Sequence, residues 1–162
     1  DVVTALKEFN RTAFVSVQSQ GWVIIYDSEC RRMDGDDSER LAARLTIRFQ
    51  TTALIALNAD DDVLWLCVYA NGNNLGEYDS STPARTGTAA ISRALGGRAR
   101  FLMPILWLIL QSPFFVFEVF RHIAACKVLN LPSDICTFGY PAEDDGTLIE
   151  YAPPGMFEST RT

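Results

Sequence analysis

The sequence predicts one α+β domain spanning residues 1–162 and built on an antiparallel sheet. Three observations carry that prediction. Segments of helical and of alternating periodicity follow one another in the order helix, two strands, helix, three strands, helices. The stretch Val63 to Ala70 is apolar at both its odd and its even positions, so it should be central and covered above and below. Apolar residues make up 48% of the 162 residues and charged residues 21%, enough to bury a core and too few charges for a disordered chain.

Residues 2–9 place Val3, Leu6 and Phe9 on one side of a short helix. Ala13 to Gln18 and Trp22 to Asp27 are strand-like runs separated by Ser19-Gln20-Gly21, the spacing of a hairpin. The polar segment that follows contains Asp34-Gly35-Asp36-Asp37 and leads into a helix ending near Phe49. Asp36 with Glu39 resembles a capping box, and acids in a first turn complement the helix dipole. Leu41, Leu45 and Phe49 would be its buried stripe. Thr51 to Leu57 is rich in strand formers, Asn58 to Asp61 is a turn, and Val63 to Ala70 is the strongest strand. Asn71-Gly72 suits a type I′ turn, with Leu75 to Asp79 returning.

Beyond the Ser80 to Arg85 loop, Thr88 to Leu95 forms a helix stopped by Gly96-Gly97. Phe101 to Phe120 is the most apolar stretch. Its unbroken part, Ile105 to Leu110, falls short of the roughly 20 residues needed to cross a bilayer, and Pro104, Gln111, Ser112, Pro113 and Glu118 interrupt it further. Two helices are expected, 104–111 and 113–129, with Ser112 and Pro113 as N-cap and first residue of the second. Leu131-Pro132 ends that helix. The tail is loop-rich, turning at Gly139-Tyr140-Pro141 and Pro153-Pro154-Gly155.

The formal net charge is −6, from 20 acids and 14 bases. Such a balance favours solubility and disfavours nucleic acid, whose phosphates would be repelled. Twelve of the bases are arginine, Lys7 and Lys127 being the exceptions, an excess as easily a genomic composition bias as a sign of carboxylate or phosphate recognition. Cys30, Cys67, Cys126 and Cys136 form no C-x-x-C pair and share the chain with a single histidine, so a structural zinc site is not expected. Cys67 and Cys126 lie in apolar runs and should be small buried hydrophobes. With no recognisable signal peptide, a cytoplasmic protein with reduced thiols is expected. Asn10-Arg11-Thr12 matches a glycosylation acceptor, a triplet common by chance.

Candidate chemistry is sparse. Asp60, Asp62 and Glu77, with Asp61 and Asp79 nearby, are the metal candidates, because hard cations need several converging oxygens. Consecutive strand residues alternate faces, however, and a charged hairpin turn explains the same acids. Asp34-Gly35-Asp36-Asp37 lacks the spacing of a calcium loop, its twelfth position being Leu45. His122, Arg121 and Asp79 are the catalytic candidates. A lone histidine needs a nucleophile and an orienting acid, and Cys126 one turn later supplies only proximity. Arg93, Arg98 and Arg100 around Gly96-Gly97 form the one basic cluster. No nucleophile elbow, phosphate-binding loop or dinucleotide fingerprint is present, and no cofactor is expected.

Two stretches, Asn58 to Trp65 continuing through Tyr69, Gly72 and Glu77-Tyr78-Asp79-Ser80, and Phe117 to His122 continuing through Leu129, Leu131-Pro132 and Gly139-Tyr140, resemble a family of small uncharacterised bacterial proteins. The resemblance implies a soluble single domain and no activity. The element order is similar to that of roadblock and longin domains, which are scaffolds and regulators that bind proteins. That likeness implies a five-stranded antiparallel sheet with the middle helix on one face and the remaining helices on the other. Fold does not dictate function, yet the resemblance favours a non-catalytic interaction or assembly module, a homodimer or a subunit of a larger assembly, with Trp107, Phe114 and Phe115 in its contact surface. The alternatives are a small enzyme or ligand-binding domain using His122, Arg121 and a carboxylate, and membrane attachment through residues 101–117.

Overall fold

The computed structural model describes residues 1–28, 35–60, 62–82, 87–95, 102–115, 117–132 and 157–159. Cys30, Asp34, Asp61, Pro83, the Gly96-Gly97 turn with Arg98 and Arg100, Phe101, Cys136 and the turns at 139–141 and 153–155 lie outside them. Among the described residues, five helices and six strands follow in the order α1 (Val2–Glu8), β1 (Ala13–Ser16), β2 (Ile25–Asp27), α2 (Gly35–Phe49), β3 (Thr52–Ala59), β4 (Val63–Ala70), β5 (Asn73–Asp79), α3 (Thr88–Leu95), α4 (Met103–Gln111), α5 (Glu118–Val128) and β6 (Phe157–Ser159). The α+β class is the one the periodicity predicts.

The strands do not form one five-stranded sheet. They form two antiparallel sheets of three, ordered β2-β1-β6 and β3-β4-β5. β1 has only two edges, and β2 and β6 occupy both, so no strand of the second sheet pairs with it. β6 comes from a tail expected to be loop; a strand of three residues is too short to show a periodicity.

β4 is the middle strand of the second sheet, and both its faces are covered. Leu64, Leu66 and Val68 point into a core completed by Tyr78, Ile91, Leu106, Leu110 and Ala125 from β5, α3, α4 and α5. Cys67 and Tyr69, with Trp65 packed beside them, point the other way against Ala42 of α2. A helix layer lies on each side, as the two apolar registers of Val63 to Ala70 require. The neighbouring stripe of α2 packs Leu41 and Leu45 against Ala5 and Leu6 of α1 and Ala13 and Val15 of β1. α2 therefore joins the two sheets through adjacent stripes of one helix.

Two helix starts differ from expectation. α2 begins at Gly35, so Asp36 sits inside the first turn and is not the cap. Ser112 and Pro113 do not open α5. Proline disfavours helical geometry in the residue before it, and Ser112, at φ −62° and ψ 129°, closes α4 as its C-cap. The Ser112 Oγ accepts from the Phe114 N–H at 3.2 Å, and α5 starts five residues after Pro113 behind Phe117.

Gly87 opens α3 with φ +82°, a region costly to side-chain-bearing residues. A β-carbon there would fall 1.2 Å from the Glu77 carbonyl oxygen, so the start of α3 rests directly on β5. Gly21 has a similar φ of +83° but open space around it. Gly87→Ala should therefore lower unfolding free energy by about 3 to 5 kcal/mol, conformational strain plus overpacking. Gly21→Ala should cost only about 1 to 2 kcal/mol. Urea denaturation of the two variants checks the difference.

Candidate interaction surface

α4 and α5 form a helical hairpin on the sheet face lined by Leu64, Leu66 and Val68. α4, with the sequence MPILWLILQ, is apolar all round. Leu106 and Leu110 are buried, whereas Ile105, Trp107 and Leu108 are 47%, 48% and 63% exposed. The connection and the start of α5 add Phe114 at 90%, Phe117 and Phe120. Phe117 and Phe120 meet edge to face, with ring centroids 6.1 Å apart and planes at 68°, the arrangement aromatic pairs favour. Of the residues expected in a contact surface, Trp107 and Phe114 are exposed. Phe115 is half-buried, its ring beneath the Arg121 guanidinium at 5.1 Å.

Arg121 holds this hairpin together. Its side chain is fully buried. The Nε donates to Glu118 at 2.6 Å, an ion pair one turn apart on α5. Nη1 donates to the carbonyls of Ile109, Leu110 and Ser112 at 2.8, 2.9 and 2.9 Å. The last carbonyls of a helix have no partner within it, and here a buried guanidinium supplies one while its positive charge faces the negative end of the α4 dipole. Tyr78, from β5, donates its hydroxyl to the same Leu110 carbonyl at 2.9 Å. Sheet, α4 and α5 therefore meet at the end of α4.

The catalytic candidates occupy separate settings. Arg121 is turned toward α4. His122, its neighbour on α5, is buried, and desolvation pushes its pKa down to about 4. Asp79, at the end of β5, accepts from the Ser81 backbone N–H at 2.8 Å and from its hydroxyl at 2.7 Å, closing a local turn. The described contacts bring none of these three onto a common partner.

The metal candidates lie around the β3–β4 turn and on β5. Asp60 is exposed, with φ +49°. Asp62 is exposed too, its backbone N–H donating to the Ala59 carbonyl at 2.9 Å. Glu77 accepts from the Trp65 indole at 2.6 Å. Among the described residues, no three His, Cys, Asp or Glu side chains are grouped to hold an ion. Of the basic cluster, Arg93 is exposed on the last turn of α3.

Sequence reading missed the polar row beneath α2. Glu39 accepts a hydrogen bond from the Tyr69 hydroxyl. Burial, then that bond, raise the Tyr69 pKa above its ordinary value. Burial, assisted by the charges of Glu39 and Glu77, pushes the Cys67 thiol up to about 12. Such a thiol stays protonated at neutral pH and is a poor nucleophile. The signal was present in Glu39, which sits three residues before Ala42 on the stripe facing the sheet, but pairing it with Tyr69 requires the helix–sheet packing.

Two outcomes follow. Arg121→Met should lower stability by about 3 to 5 kcal/mol in urea titrations, because Glu118 is left buried without its partner and the α4 carbonyls lose their donor. For His122, the folded pKa lies below the value of about 6.5 ordinary in an unfolded chain. The unfolded state therefore binds the proton first as pH falls. Stability owed to this group is full above about pH 6.5, declines down to about pH 4, and changes no further below. The loss should be roughly 2 to 4 kcal/mol, and His122→Gln should flatten that part of the stability–pH curve.

No family model, no curated protein and no solved structure matches this chain.

Proposed function

We propose that this chain is a non-catalytic protein-interaction or assembly module whose contact surface is the apolar face of the α4–α5 hairpin. One observation carries the reading. Nine large apolar side chains are exposed among the described residues, and six of them, Ile105, Trp107, Leu108, Phe114, Phe117 and Phe120, fall within sixteen consecutive positions. Single exposed hydrophobes are ordinary on a protein surface, whereas a cluster marks a place of contact.

The chemistry favours a protein partner. Tryptophan and other aromatic side chains dominate the affinity of protein interfaces when they enter an apolar pocket. A lipid surface is less suited. Residues 103–120 contain no lysine or arginine to meet anionic headgroups, and their single acid, Glu118, is buried against Arg121. No helix among the described residues is long and apolar enough to cross a membrane.

The double variant Trp107→Ser/Phe114→Ser tests the proposal. Both side chains point outward, so unfolding free energy should stay within about 1 kcal/mol of the parent. Proteins recovered with the tagged chain from its native cells should be lost with the variant. A recovered partner, once purified, should bind the parent at least about tenfold more tightly than the variant in calorimetry. Equal binding by both chains, or flotation of the parent with phosphatidylcholine vesicles abolished by the double variant, would sink the reading.

A further inference from the structure

The β4–β5 hairpin closes on two residues. Ala70 pairs with Asn73, and Asn71 and Gly72 between them have φ values of 50° and 79°. Positive φ at both central positions is the type I′ turn, which favours asparagine or aspartate followed by glycine. The packing beneath fixes the glycine a second time. A β-carbon at residue 72 would fall 2.7 Å from Ile47 Cδ1, on the last turn of α2.

The fold therefore selects the dipeptide that is chemically least durable. After an asparagine, glycine alone leaves the backbone nitrogen unshielded by a side chain and free to close on the asparagine amide. Asn71 is exposed, and no other asparagine of the chain precedes a glycine. Closure takes two steps. The Gly72 nitrogen gives up its proton and attacks Asn71 Cγ; a C–N bond forms, the bond from Cγ to Nδ2 breaks, and the side-chain nitrogen leaves with that proton as ammonia. Water then opens one of the two C–N bonds of the cyclic imide. Opening at Cγ gives aspartate, and opening at the Asn71 backbone carbonyl gives isoaspartate.

In the folded chain the attacking nitrogen is held. The Gly72 N–H donates to Thr46 Oγ1 at 3.0 Å. That hydroxyl commits its own hydrogen to the Ala43 carbonyl at 2.9 Å, which turns a lone pair toward the turn. Thr46 is fully buried, so no water competes for the bond. The bond keeps the proton on the nitrogen and fixes the plane of the Asn71–Gly72 peptide, with Ile47 packed against the glycine. Ring closure requires that peptide to turn, so the hairpin end must first lift from α2.

We propose that Asn71-Gly72 is a deamidation site kept latent by Thr46, converted to aspartate or isoaspartate only when the turn lifts from α2. Isoaspartate puts an additional backbone carbon into a loop of two residues, which disrupts the Ala70–Asn73 pairing and the Gly72–Thr46 bond together. Either product leaves one more carboxylate on a chain whose formal net charge is −6. The modification thus marks chains that have opened at this end of the sheet. It does not involve the α4–α5 face.

Peptide mapping by mass spectrometry tests it on the full chain incubated in mildly alkaline buffer. In urea strong enough to unfold the parent, Asn71 should convert first among the asparagines. In native buffer it should convert at least about tenfold more slowly. Thr46→Val keeps the shape of the side chain and removes the acceptor. It should raise the native rate about fivefold, the change in opening expected for one lost hydrogen bond. A parent that converts equally fast folded and unfolded overturns the proposal. So does a folded Thr46→Val chain that converts no faster than the parent, or an unfolded chain in which another asparagine reacts first. If Thr46→Val fails to fold, the parent decides in urea below its unfolding transition. There, Gly72 amide exchange and Asn71 conversion should rise together, and conversion that stays constant while exchange rises overturns the proposal.

Discussion

The helical half of this molecule depends on one buried cation. Arg121 lies at the end of α4 with no access to water; its Nε donates to Glu118 and its Nη1 to three backbone carbonyls, while Nη2 is buried without a hydrogen-bond partner among the described residues. A guanidinium suits that place better than an ammonium would. Its planar fork reaches a carboxylate from one nitrogen and a cluster of carbonyls from another, and its weaker hydration lowers the cost of burial. The ion pair with Glu118 leaves the interior neutral, and the Phe115 ring covers the guanidinium. Tyr78 ties the same helix end to the sheet. The sharp exit of the chain at Ser112-Pro113 is held in place by these contacts.

The sheet half depends on α2 and β4. β4 is apolar in both registers because it lies between α2 and the α3–α5 layer. α2 in turn is apolar on two adjacent stripes because one side meets the sheet and the other meets α1 and β1. Arginine serves this half as well. Arg11 grips the buried Asp27 through two parallel bonds of 2.7 and 2.8 Å, fastening the end of α1 to β2. The Arg44 guanidinium lies 3.6 Å above the Phe9 ring, joining α1 to α2. An arginine bias that looks compositional thus has structural work at Arg11, Arg44 and Arg121.

How much of this was legible in the sequence follows from the range of each interaction. β4 is closed by a local signal, Asn71-Gly72, and both its limits were readable to the residue, as was the start of α3 at Thr88. The α+β class followed from periodicity alone. The division into two sheets was not readable, because which strand takes the second edge of β1 is settled by a contact with residues 157–159, more than 140 positions away. The start of α5 was misread for a more local reason. Ser-Pro is compatible both with opening a helix and with closing one, and the chain uses it to close α4. At the candidate surface, Trp107 and Phe114 could be picked out by composition. The inward turn of Phe115 could not, since it depends on where Arg121 lies.

The role of Arg121 bears on what the exposed face can do. A surface of aromatic side chains binds weakly when it must first be ordered, because each immobilised side chain and each fixed backbone residue costs free energy on association. Here the ordering is done in the folded monomer. Trp107 stands on a helix whose C-terminal end is clamped by Arg121 and Tyr78, and Phe114 follows immediately after the turn that the same guanidinium holds. The polar groups that looked most like a catalytic pair are engaged elsewhere, Arg121 by carbonyls and His122 by burial in its neutral form. A buried ion pair contributes little net stability compared with well-packed apolar residues. Its retention at the base of the exposed face is therefore better explained by geometry than by stability, since a directional clamp fixes the angle between α4 and α5 where apolar packing alone would allow them to slide.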